Sequence, residues 1–186
     1  MLLIRFRLKE KNMSLSLFHR RIAATTMLAL TLATTALSQR PRQEVVLTGA
    51  EFTKVCPTSF YFEGQSAATQ MRNAAAARFG RGRYVIVGMV DTSGYSSEIR
   101  AKYQGFFITD SAIRLGDLEL GTGAYGFGFS DDGKLNIFDI GGTKLLSANT
   151  TRDRQLRRPR PLMMMKAENG IRLYGGRDYV VISASR

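Results

Sequence analysis

From Tyr84 onward the chain reads as short apolar or alternating runs separated by glycine, asparagine and aspartate. Runs rich in valine, isoleucine, tyrosine and phenylalanine suit pleated strands, whose successive side chains face opposite ways. The pattern predicts strands at 84–90 (YVIVGMV), 105–109 (GFFIT), 113–120, 124–129, 134–140, 162–166, 171–174 and 179–183. Turn signals recurring at intervals of roughly eight to twelve residues argue for a mainly β fold, an antiparallel β-sandwich or barrel.

Three of these turns have a mechanism. Asp131-Asp132-Gly133, Asn169-Gly170 and Gly141-Gly142 each stand between apolar runs, the last leading to a short strand at Leu145-Leu146. Such residues tolerate the positive φ of tight hairpins. The segment 66–79 (SAATQMRNAAAARF) is different: Ala67, Met71, Ala75 and Phe79 form an i, i+4 stripe, with Ser66 as N-cap and Gly80 beyond the end. That predicts a helix. The rival reading pairs 74–79 with 84–90 across Gly80-Arg81-Gly82 as a hairpin. A second short helix is predicted at 97–104, ended by Gly105.

The N-terminal region follows another pattern. Residues 22–37 (IAATTMLALTLATTAL) carry no charge and follow His19, Arg20 and Arg21. A basic segment before a short apolar one is the layout of a cleavable signal peptide, whereas a membrane span needs roughly 20 apolar residues. Ala36 and Ser38 occupy the small-residue positions of a cleavage site, so the signal is expected over 1–38, with Met13 an alternative start. An uncleaved helical anchor is the competing reading, and Arg20-Arg21 lacks the flanking residues of a twin-arginine signal. The expected organisation is then a mobile leader over 39–50 and a single β-rich domain over 51–186.

This division changes the charge. The whole chain has 27 Lys/Arg against 15 Asp/Glu, a net charge of +12. Removing 1–38 takes six of the basic residues and one acid, leaving 21 against 14, or +7. It also removes His19, the one histidine of the chain, and with it the base of histidine-dependent hydrolases and the imidazole ligands of most zinc, copper and iron sites. No catalytic residue, metal or cofactor is assigned. The lone Cys56 cannot close an internal disulfide and reads as a small buried apolar residue, an intermolecular disulfide being the alternative.

Two segments are candidates for binding. In Tyr125-Gly126-Phe127-Gly128-Phe129, strict alternation puts three aromatics on one face of a strand and bare glycine on the other, where a flat ligand or another backbone could approach closely. The alternative is a core strand beside a crowded layer. Residues 152–161 (RDRQLRRPRP) hold Arg152, Arg154, Arg157, Arg158 and Arg160 against one aspartate, and Pro159 and Pro161 favour an extended arm. Guanidinium groups recognise phosphate and carboxylate bidentately, so the arm points to an anionic ligand, an envelope component or a protein. It lacks the interleaved aromatics of a nucleic-acid surface. Asp131-Asp132-Gly133-Lys134 lacks the ligand spacing of a calcium loop, and the GxGxxG string at 121–126 lacks a strand–turn–helix context.

The blocks 88–96 (GMVDTSGYS), 123–129 (GAYGFGF) and 172–177 (RLYGGR) resemble recurring blocks of small exported bacterial proteins to which no named activity attaches. The resemblance implies a secreted, β-rich protein. The expected function is that of an exported, non-enzymatic binding domain, periplasmic or secreted, with no transmembrane span after cleavage. Two alternatives stand beside it. One is a carboxylate-dependent hydrolase of an envelope or extracellular polymer, drawing on Glu51, Glu63, Asp91, Glu98 or Asp139. The other is an assembly protein that pairs through an open sheet edge.

Overall fold

The structure is a computed structural model that describes residues 44–185. The expected signal over 1–38, with Met13 and His19, and residues 39–43 of the expected leader lie outside the described residues. Fourteen strands and two short helices follow in the order β1 (Glu44–Val46), α1 (Gly49–Val55), β2 (Ser59–Phe62), β3 (Gln65–Phe79), β4 (Tyr84–Val90), α2 (Ser97–Lys102), β5 (Gly105–Thr109), β6 (Ile113–Leu115), β7 (Leu118–Leu120), β8 (Gly123–Ser130), β9 (Lys134–Phe138), β10 (Lys144–Asn149), β11 (Thr151–Arg152), β12 (Arg160–Ala167), β13 (Gly170–Gly176) and β14 (Asp178–Ala184). They form a β-sandwich of two antiparallel sheets. Sheet 1 has the order β1-β3-β4-β5-β8-β9-β10 with β2 on β3, and sheet 2 has the order β12-β13-β14-β6-β7 with β11 on β14.

The inner faces build one core by alternation. Val85, Val87, Phe107, Phe127, Leu135 and Ile137 from sheet 1 meet Ile113, Leu115, Leu162, Ile171, Leu173 and Ile182 from sheet 2. Each such side chain contributes roughly 1.5–3 kcal/mol when fully buried. Sheet 1 also carries a second apolar layer on its far side, where Phe62, Ile86, Tyr95, Tyr103, Phe106 and Phe138 gather with Leu47 and Cys56. Burial on both faces explains why β4 is an unbroken apolar run. No helix among the described residues is long and apolar enough to cross a membrane.

The helix expected at 66–79 is instead the strand β3, and the rival hairpin is what forms: Ala74 pairs with Gly88, Ala76 with Ile86 and Arg78 with Tyr84. Alanine's helix preference is worth at most about 0.7 kcal/mol per residue over ordinary residues. Here Ala75 and Ala77 enter the inter-sheet core while Ala76 enters the outer layer, so small residues on both faces let β12 and α1 pack close to the strand. Packing outweighs propensity. A register shift between Thr69 and Ala74 then bends the strand so that its first half pairs with β2.

Other boundaries move for local reasons. The expected strand 113–120 is two strands, β6 and β7, folded on each other at Gly116, whose φ is +60. The strand expected to reach Ile140 ends at Phe138, because the Asp139 carboxylate accepts from the amides of Gly141 and Thr143 and starts the turn. At β12–β13 the tip is Glu168-Asn169, since Ala167 pairs with Gly170, which supplies the positive φ of +141. Residues 44–50 of the expected leader belong to the domain: β1 pairs with the end of β3, Leu47 is buried, and α1 begins at Gly49. The helix expected over 97–104 forms as α2 but stops at Lys102, with Tyr103 already extended, and its Ile99 amide donates to the Ser96 hydroxyl.

Candidate anion-binding groove

The outer face of sheet 2 follows from the same alternation. With Leu162, Met164, Ile171, Leu173, Val180 and Ile182 facing the core, Met163, Met165, Arg172, Tyr174 and Tyr179 face away. Strand register sets Met165 opposite Arg172, and Tyr174 opposite both Met163 and Tyr179. The two tyrosine rings lie 5.2 Å apart. The Arg172 guanidinium carbon stands 4.6 Å from the centre of the Tyr179 ring, a cation–π arrangement that orients its planar fork.

The arginine segment lies over this face. It is a pinned loop and not the extended arm expected from its prolines: β11 pairs Thr151 with Tyr179 and Arg152 with Asp178, a turn follows at Arg154-Gln155, and the chain bends at Arg157-Arg158 before entering β12. Asp153 makes the turn. One carboxylate oxygen accepts from the amides of Gln155 (3.0 Å) and Leu156 (3.1 Å), and the other accepts from the Tyr174 hydroxyl (3.0 Å). These bonds, led by that of Tyr174 and aided by Arg172 at 4.0 Å, hold its carboxyl below the usual range. Further fastenings are the Arg177 guanidinium, which donates to the Leu156 carbonyl (2.6 Å), the Asp153 amide, which donates to the Arg177 carbonyl (2.9 Å), and the Arg152–Asp178 ion pair (3.2 Å).

Between loop and sheet runs an open groove of about 550 Å³, walled by residues 152–157 and floored by Met165, Arg172 and Tyr179. Arg154 and Arg157 have no ion-pair acceptor among the described residues. Arg172 keeps its Nε hydrogen buried and without a partner, although its Nη1 donates to the Tyr174 hydroxyl (3.4 Å). Three guanidinium groups line one groove, with the Asp153 carboxylate beside Arg172, and guanidinium is the side-chain group whose geometry matches phosphate and carboxylate.

Of the residues singled out from sequence, Arg152, Arg154 and Arg157 line this groove, with Arg152 already engaged by Asp178. Arg158 and Arg160 are exposed outside it, Arg160 opposite Gly176 at the start of β12. Tyr125, Phe127 and Phe129 stand elsewhere, on β8, and face the inter-sheet core: Phe127 is fully buried, and the ring of Phe129 packs on Gly175. The glycine side of that strand is occupied by the chain itself, Gly126 by the Phe62 ring and Gly128 by the Lys102 carbonyl. Close approach to bare backbone is realised there as packing. The site residues that sequence reasoning missed are Arg172, Tyr174, Tyr179 and Met165. The one signal for Arg172 was a charged residue between Ile171 and Leu173, at the outward position of an otherwise apolar strand.

The candidate acids are engaged in local structure. Asp91 accepts from the Ser93 amide, Asp139 shapes its turn, Glu51 and Glu98 lie in the first turns of α1 and α2, and Glu63 pairs with Lys102 at 2.9 Å. Among the described residues no group of three or more His, Cys, Asp or Glu is placed to hold a metal ion. Cys56 is buried at the end of α1, and burial pushes its thiol up, away from the reactive thiolate. Comparison with protein-family models, curated proteins and solved structures returned no match.

Proposed function

We propose that this protein is an exported, non-enzymatic β-domain that binds an anionic group in the groove between the arginine loop and sheet 2, in the periplasm or outside the cell. The observation that carries the reading is the floor and wall of that groove: Arg172, stacked on Tyr179, lines it together with Arg154 and Arg157, which lack acidic partners among the described residues. The loop backbone is fastened before any ligand arrives, so binding orders the Arg154 and Arg157 side chains but not the loop itself. The dispersal of the acids into turns, helix starts and an ion pair supports a binding role over carboxylate-dependent hydrolysis.

Titration of the protein with inorganic phosphate, followed by amide and guanidinium NMR shifts, tests the binding half. Saturable shifts confined to 152–157, Arg172 and Tyr179, and their loss in R154Q/R157Q, are expected; shifts that never saturate there overturn it. Fractionation of cells expressing a C-terminally tagged chain tests export. The expected product is shortened by about the length of a signal peptide and leaves the cytoplasm. A full-length cytoplasmic product overturns that half.

A further inference from the structure

We infer that the groove takes one residue of a linear acidic polysaccharide whose neighbouring charges run along the rest of the arginine loop; this rests on the anion-binding reading above. The first ground is the distribution of charge. Residues 44–150 carry ten Lys/Arg against eleven Asp/Glu, whereas residues 151–185 carry eight against three. The net positive charge of the described domain therefore belongs to the loop and the hairpin beneath it.

The second ground is the number of unsatisfied cations. Arg154, Arg157, Arg158 and Arg160 all lack ion-pair acceptors among the described residues, yet two of them, Arg158 and Arg160, are outside the groove. A single carboxylate offers about four lone-pair positions, which two bidentate guanidinium groups already fill. One small anion in the groove leaves the outer pair idle. A chain with repeated charges engages both sets, and the groove is open to solvent rather than enclosed.

The third ground separates polymer classes. Bases need a free aromatic face on which to stack. The Arg172 guanidinium stacks on the Tyr179 ring, Tyr174 is 1% exposed, and the loop has no aromatic residue of its own. What the groove offers instead is aliphatic: Met165, 44% exposed, and the half-buried Leu156 supply a patch suited to the C–H face of a sugar ring.

Calorimetric titration of the purified protein with galacturonate, oligogalacturonides of two to eight sugars, and an oligothymidylate of matching charge decides the matter. Affinity is expected to rise roughly tenfold or more from monomer to octamer as further charges engage. In R158Q/R160Q, changed only at exposed positions, octamer affinity falls toward that of the monomer. Equal affinity for monomer and octamer overturns the polymer inference while leaving the anion site standing. Tighter binding of the oligothymidylate overturns it in favour of nucleic acid. If neither galacturonate nor inorganic phosphate binds, the inference falls together with the reading beneath it.

Discussion

The two outward faces of the sandwich were given opposite treatment by the same rule of alternation. On sheet 1 the outward positions are Ala76, Ile86, Phe106, Gly126, Gly128 and Phe138, and the chain covers them with α1, β2 and α2. Phe62 is the keystone of that cover, stacked 3.9 Å from Tyr103 with its ring against Gly126. On sheet 2 the outward positions beneath the loop include methionine, valine, arginine and tyrosine, and the cover is one loop held by hydrogen bonds. A face of apolar and glycine positions demands a packed layer, whereas one that mixes in side chains with polar tips accepts a partial one. One face became a second core, and the other an open groove.

Removing the keystone should break this contrast most severely. Phe62→Ala leaves a cavity between Tyr103 and Gly126 and is expected to cost about 3–5 kcal/mol, read as a fall in the urea midpoint. A loss below 1 kcal/mol would mean that the outer layer of sheet 1 is as loose as the loop on sheet 2. Asp153→Ala acts on the opposite face, where it strips the turn of its acceptor and leaves the Tyr174 hydroxyl proton without one; a smaller fall in the urea midpoint than that of Phe62→Ala is expected. Hydrogen exchange at the Gln155 and Leu156 amides should accelerate with it.

Acidification probes the same fastening without mutation. The folded-state pKa of Asp153 lies below its unfolded value of about 3.9, so its stabilising effect is complete above that value and is lost as pH falls through the folded value. The loop should stay fastened from neutrality to about pH 5 and loosen only below about pH 4. D153N should flatten part of the pH dependence of the urea midpoint in that acid window. The smallest effect is expected from R154Q/R157Q, within about 0.5 kcal/mol of the parent, since both side chains are exposed and lack ion-pair acceptors among the described residues. That variant separates the binding face from the stability of the fold.

The legibility of the sequence follows the same division. Strands such as β4, β5 and β8 could be read because valine, isoleucine, phenylalanine and glycine alternate within a few residues. β3 was misread because its alanines are set by neighbours distant in sequence: small size was demanded by β12 and α1. The arginine loop announced itself as a charge run, yet the groove it walls is floored by Arg172 and Tyr179, which the β12–β13–β14 hairpins bring beneath it. Nor did composition reveal that Asp153, the one acid among five arginines, is the residue that ties the loop down.

The position of β1 has a consequence for biosynthesis. β1 and β3 open the domain, yet they pack against β12, which begins some eighty residues beyond the end of β3. Contacts so distant along the chain are slow to form, and here they are impossible until most of the domain has been translated. Until then the inter-sheet core lacks much of its second half, and the apolar inner face of β3 has no partner layer.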